Sequence, residues 1–192
     1  MEELWIRINT FEKLSAESVS AWEKIMTKRR IKKNEFFVKE GQITRTAAFV
    51  STGLLSQYCV SENGDVITKR FFPKNYFVAS MSALLTQSPS MFYIKAHENT
   101  SIIEYNFYDF RELAERHKDI SSVYIKYLER HWVVEKEPFE ISLRSDPAKK
   151  RYIEFLKAYP SLDSRLKQHE IASYLGITPT QLSRIRSEME IF

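Results

Sequence analysis

Twenty residues near the C-terminus, QHEIASYLGITPTQLSRIRS (168–187), restrict the fold more than any other stretch of the chain. Ile171, Leu175, Ile177, Leu182 and Ile185 recur at the spacing by which two short helices bury a shared apolar face. Ala172 is the small residue that lets them approach. Gly176 stands where the first helix has to end in a left-handed conformation, which costs any residue with a Cβ. Thr178-Pro179-Thr180-Gln181 then restarts a helix, with Thr178 as N-cap, Pro179 at the first helical position and Gln181 placed to close a capping box. Helices joined this way form either an αα-hairpin within a core or a helix-turn-helix, whose second helix enters the major groove of DNA. The agreement of spacing, alanine, glycine and cap favours the second.

Charge leans the same way. The formal net charge is only +4, but from Arg144 onward nine basic residues stand against six acidic ones, so most of the excess lies beside the motif. A hydrophobic content of 43% with 28% charged residues describes a globular chain, and 192 residues suffice for one large or two small domains. Cys59 is the only cysteine, which excludes a disulfide framework, a cysteine-ligated zinc site and a four-cysteine iron–sulfur cluster. His97, His117, His131 and His169 are scattered, so neither a metal nor a cofactor is expected, and a cupin-like metalloenzyme lacks its ligands. All four glycines fall at turns or helix ends, leaving none for a phosphate-cradling loop. The chain is read as no enzyme. MEELWIRINTFEKL lacks the apolar core of a signal peptide, and no run approaches the roughly twenty apolar residues of a membrane span. A cytoplasmic location and no membrane partner are expected.

Helical spacing of Phe11, Leu14, Val19, Trp22, Ile25 and Met26 predicts a helix over 10–30. Residues 31–107 are rich in Val, Ile, Thr, Phe and Tyr in short runs broken by turn residues, which predicts an antiparallel sandwich or barrel of about eight short strands. Asn63-Gly64 marks a hairpin, expected as a type I′ turn. A long helix is predicted over about 108–137, ended by Pro138. Ile120, Tyr124, Tyr127, His131 and Val134 form a coiled-coil-like seam on it, with Ile125, Leu128 and Trp132 on another face. One stripe can pack on the β domain and leave the other for a second copy, and the seam is taken as the dimer interface. The alternative is one wide apolar face buried within a subunit. Pro147 opens a last group of helices. The expected domains are 1–116, 117–143 and 144–192.

A β-roll, a long helix and a helix-turn-helix in that order resemble the Crp/Fnr family of bacterial transcription regulators, over nearly the whole chain. Gly41 in VKEGQ, Gly53 in VSTGLL and Gly64 in SENGD match the family's turn glycines, and PKNYFVASMSALL resembles the start of its ligand cassette. The resemblance implies an α+β fold: an N-terminal antiparallel β-roll (a double-stranded β-helix, cyclic nucleotide-binding-like), a dimerisation helix and a C-terminal winged helix-turn-helix. It implies a homodimer that reads double-stranded DNA, with RNA polymerase as a further partner. The wing is expected to be reduced to SLDSRLK (161–167), since the family's C-terminal hairpin has no counterpart in the sequence.

Cyclic-AMP-binding members carry F-G-E-L-x-L and, downstream, R-S/T-A, with the glutamate on the ribose and the arginine on the cyclic phosphate. Here Ala79-Ser80-Met81 replaces G-E-L and Ser90-Met91-Phe92 replaces R-S-A. An arginine–phosphate contact contributes on the order of 1.5–3 kcal/mol, so the effector pocket reads as degenerate and unsuited to cyclic AMP in the usual manner. The family's adenine contacts fall near Glu135 and Lys136. Phe77, Ala79, Ser80, Met81, Ser82, Ser90, Met91 and Phe92 are the candidate pocket for an unknown small-molecule effector, and the apolar ones equally suit a plain core. His97 and His131 are the histidines considered as haem ligands, with packing roles as the plainer reading. The recognition positions carried over are Thr178, Pro179, Thr180, Gln181, Ser183 and Arg184, with Lys167 on phosphate. Arg184 suits a guanine, Gln181 an adenine and Thr180 a thymine methyl, although capping competes for Gln181. The alternative function is a ligand-binding regulatory module that acts through a protein partner and keeps a vestigial helix-turn-helix.

Overall fold

The computed structural model describes residues 1–190. The chain forms two units, one of residues 1–59 and 70–130, the other of residues 60–69 and those from 131 onward. The C-terminal unit thus takes in the tip of a hairpin from the strand-rich region, and the segment expected as a dimerisation helix, 117–143, is divided about equally between the two units.

The first unit opens with α1 (Glu2–Asn9) and α2 (Ala16–Glu23). Ser15 caps α2, its Oγ accepting from the Ser18 amide at 3.1 Å. The helix predicted over 10–30 is therefore shorter than its apolar spacing suggests. From Met26 the chain is strand, because β1 (Met26–Ile31) pairs along its whole length with β8 (Thr100–Asn106), and long-range pairing overrides local periodicity. Between them run β2 (Phe36–Val38), β3 (Thr46–Thr52), β4 (Leu54–Val60), β5 (Val66–Pro73), β6 (Phe77–Val78) and β7 (Tyr93–Ala96), with α3 (Met81–Thr86) inserted after β6. These eight strands make two four-stranded sheets, ordered β1-β8-β3-β6 and β2-β7-β4-β5. Ile31, Val38, Val50, Leu55, Ile94 and Ile102 fill the space between them. Gly53 (φ +98°) makes the β3–β4 corner, where a Cβ would lie 2.7 Å from the Thr100 Cα.

α4 (Phe107–Arg116) and α5 (Lys118–Leu128) close the first unit over a second core centred on Trp22, whose ring lies 4.8 Å from Phe110 and 5.9 Å from Tyr105. The predicted single long helix is interrupted. His117 breaks it with extended backbone, and after α5 the chain widens into a π-helical turn over Glu129–Val134 before α6 (Lys136–Ser145). Pro138 does not end the helix. It lies in the first turn of α6, where backbone amides need no partner.

In the second unit α6 is followed by α7 (Ala148–Ala158), α8 (Gln168–Leu175) and α9 (Pro179–Glu190). Residues 161–167 fold as turns, so among the described residues no wing strand forms there. The hairpin at 60–69 forms as expected, but with a longer turn than type I′. The Ser61 amide donates to the Asp65 carbonyl at 2.9 Å, and only Gly64 takes positive φ (+85°).

Candidate nucleic-acid interface and sensor interior

The helix-turn-helix is built from its apolar face outward. Ile171, Ala172, Leu175, Leu182 and Ile185 are buried, as are Tyr152, Phe155, Tyr159, Leu162 and Leu166 of the same unit. Gly176 ends α8 at φ +66°, and the Ile177 amide reaches back to the Ala172 carbonyl at 3.0 Å. The turn is closed by a formed capping box. The Gln181 amide donates to Thr178 Oγ1 at 3.1 Å, and the Thr178 amide donates to Gln181 Oε1 at 2.9 Å. Bidentate reading of adenine needs that same oxygen, so the cap holds Gln181 away from base reading. Gln168 adds a bond from Nε2 to the Pro179 carbonyl at 2.5 Å.

Burial of Leu182 and Ile185 leaves Thr180, Ser183, Arg184 and Ser187 exposed, at the spacing of one helix face. Among the described residues Arg184 meets only Glu188, at 3.6 Å and well exposed, a weak pair that a base or phosphate can replace. Thr178, Pro179 and Lys167 are exposed too, and the Lys167 amide is tied to the Glu170 carboxylate at 2.8 Å. Sequence reasoning missed Ser187, although it lies seven residues after Thr180, two helical turns on. It also missed what orients the helix. Arg186 donates to Asp163 at 2.7 Å and to the Tyr152 hydroxyl at 3.1 Å, and Tyr152 donates to the same Asp163 oxygen at 2.8 Å. Burial first, and then Asp163, hold the Tyr152 phenol above its ordinary range. Arg151 in turn donates to the Leu175 carbonyl at the end of α8, at 3.0 Å. No local sequence signal marks these partners, which are 11 to 34 residues apart.

The sensor interior is built differently. Ser80 and Ser90 are buried, their hydroxyls 2.8 Å apart, and Ser90 Oγ also donates to the Phe92 carbonyl (2.8 Å) and accepts from the Phe92 amide (3.1 Å). With the Ser90 proton on Phe92, Ser80 is the donor, and the group is closed on itself. Among the described residues no Lys, Arg, Asp or Glu is buried, so no enclosed charge awaits a cyclic phosphate. The remaining candidate pocket residues do not converge. Phe77, Ala79 and Met81 pack on the core around Trp22, Phe92 is buried, and Ser82 and Met91 face solvent.

The predicted dimer seam is turned largely inward. Ile120 is fully buried, Tyr124 packs on Phe107 and Phe110, and Tyr127 packs on Phe11 and Phe77, all within the first unit. Ile120 is thus a core residue, while Tyr124 and Tyr127 are half-buried, with part of each ring packed within the first unit. In the second unit His131 is buried against Glu135, with Nδ1 2.6 Å from Oε2, and only Val134 of the seam is well exposed. His97 Nε2 meets Ser56 Oγ at 2.8 Å. Among the described residues no three His, Cys, Asp or Glu gather to hold a metal, and no helix is long and apolar enough to cross a membrane.

The two sheets with their helical cap define a β-roll of the cyclic nucleotide-binding type, and residues 28–117 match the cyclic nucleotide-binding domain family. Three solved structures carry the likeness through both units. FixK2 from Bradyrhizobium japonicum aligns with a TM-score of 0.69 at 19% identity, over 87% of this chain and 85% of that one. CLP from Xanthomonas campestris, a c-di-GMP responsive global regulator, gives 0.70 at 13%, over 92% of each chain. The catabolite activator protein of Thermus thermophilus gives 0.59 at 19%, over 96% and 86%. No curated protein matches the chain. The chain has the fold of the Crp/Fnr regulators.

Proposed function

We propose that this protein is a homodimeric, sequence-specific DNA-binding transcription regulator of Crp/Fnr type that works without cyclic AMP. One observation carries the reading: α9 buries Leu182 and Ile185 and presents Thr180, Ser183, Arg184 and Ser187 outward, behind a formed capping box and a left-handed Gly176. This is the arrangement that lays a recognition helix in the major groove. Arg184 supplies the forked donor for guanine O6 and N7, and Thr180 meets a thymine methyl. Ser183, Ser187 and Lys167 hold phosphate. Gln181 serves the cap. The likeness to FixK2, CLP and the catabolite activator protein supports the same output.

A second copy is supported by apolar side chains left uncovered along residues 118–145. Ile125, Val133, Val134 and Ile141 are 47–68% exposed, and burying them is a reason for two chains to associate. A two-fold dimer reads half-sites about one helical turn apart. The closed Ser80–Ser90 pair supports operation without a cyclic nucleotide. Selecting the operator from random DNA and then measuring Arg184→Ala tests the assignment. The variant is expected to lose roughly 1–3 kcal/mol of discrimination at one base position of each half-site. Unchanged discrimination removes Arg184 from the reading set.

A further inference from the structure

Arg184 and Arg186 are two residues apart on α9, and two residues turn about 200° around a helix. They therefore leave α9 on opposite sides. Arg184 points with the exposed Thr180, Ser183 and Ser187, while Arg186 lies one turn on from the buried Leu182. A second arginine on a recognition helix would ordinarily be assigned to a phosphate. Here its donors are engaged inside the unit. Arg186 Nη2 donates to Asp163 Oδ1 at 2.7 Å and Nε to the Tyr152 hydroxyl at 3.1 Å, and Tyr152 donates to the same Asp163 oxygen at 2.8 Å. Tyr152, on α7, is buried, and the Arg186 and Asp163 side chains are sheltered, at 26% and 33% exposure. Asp163 comes from the turns of 161–167.

Burial of Leu182 and Ile185 decides which side of α9 faces inward, but apolar contact has no direction and tolerates rotation about the axis. Reading atoms lie roughly 6 Å or more off that axis, so a rotation of about 20° carries them about 2 Å, enough to break a bidentate bond to a base. Hydrogen bonds supply the direction that burial lacks. At the start of α9, Gln168 Nε2 donates to the Pro179 carbonyl at 2.5 Å. Seven residues on, about 10 Å along the axis, Arg186 reaches Asp163 and Tyr152. A helix held at two points, the second by a rigid guanidinium fork, has one rotation. We infer that Arg186 is a positioning residue and no phosphate contact, and that Tyr152 and Asp163, off the recognition helix, set base preference through it. This rests on the proposed DNA reading by α9.

The test compares variants of the full chain well below their melting temperatures, on the selected operator and on every single-base change of it, over a range of salt. Tyr152→Phe removes one hydroxyl and keeps the ring, and Asp163→Asn keeps the shape and loses the charge. Each is expected to lose about tenfold or more of discrimination at the base read by Arg184, with the salt dependence unchanged. Combined, they are expected to lose no more than the worse of the two, because they break one group. Arg186→Lys keeps the charge without the fork and is expected to behave as Tyr152→Phe does. Three results overturn the assignment. If Arg186→Met weakens every sequence alike, lowers the slope of log affinity against log salt by about 0.9 per subunit and keeps base preference, Arg186 is a phosphate contact. If Tyr152→Phe and Asp163→Asn lower the melting temperature but read bases as the wild type does, the group serves the fold alone. Both of these leave the α9 reading intact. A wild type that selects no sequence removes the α9 reading and the positioning role with it.

Discussion

Small hydroxyl side chains occupy both candidate sites, and the two units use them in opposite ways. In the β-roll, Ser80 and Ser90 are buried and spend their hydrogen bonds on each other and on Phe92. On α9, Ser183, Ser187 and Thr180 face water beside Arg184, with their polar atoms outward. The polarity of a side chain is thus no guide to a binding role until its partners are counted. A closed hydrogen-bond group inside one unit serves the fold, while an open one on the other is available to a ligand.

Four substitutions sharpen or break that contrast. The largest effect is expected from Gly53→Ala, which puts a Cβ against the Thr100 backbone at a φ of +98°. A loss of about 3–5 kcal/mol, read as a fall in the β-roll melting temperature, is expected. Leu182→Ala empties a fully buried position of the reader core and is expected to cost about 2–4 kcal/mol and abolish operator binding, with the β-roll transition unmoved. Coincident melting of both units in that variant would show that they do not fold independently. Ser90→Ala strands the Phe92 amide and carbonyl and the Ser80 hydroxyl, at about 1–3 kcal/mol. If the variant is instead neutral in thermal unfolding, the serines are not a closed structural group.

Asp119→Asn has the smallest effect and a pH signature. Burial pushes the Asp119 carboxyl up, but hydrogen bonds from the Ser15 amide, the Ser18 hydroxyl and the Ile120 amide outweigh it and hold the group below its ordinary range. A carboxylate depressed in the folded state stabilises above its unfolded value of about 3.9, and that stabilisation fades as pH falls through the lower folded value. The gap between wild type and variant, about 1 kcal/mol after allowance for solvent screening, is therefore expected to be full at neutral pH and to close below about pH 4. A gap constant from pH 7 to 3 contradicts the assignment.

The reader was the more legible unit. Its apolar spacing, Gly176 and the Thr178–Gln181 cap are all local, lying within twenty residues, and local chemistry can be read from one sequence. The strand count and the glycine corners of the β-roll were legible for the same reason. What escaped depends on partners distant in sequence. β1 reads as the end of a helix until β8 pairs with it, and Arg186 reads as a surface charge until Asp163 and Tyr152 meet it. The stripe of Ile120, Tyr124 and Tyr127 was correctly apolar, but periodicity cannot say which of two apolar stripes faces the chain's own core.

Selection of binding sites from random duplex DNA by the full chain, run in parallel with and without cyclic AMP, tests the central claim most directly. One two-fold symmetric sequence is expected, enriched equally in both arms, with half-sites about one helical turn apart. Failure to enrich any sequence, or enrichment only when the cyclic nucleotide is present, would contradict it.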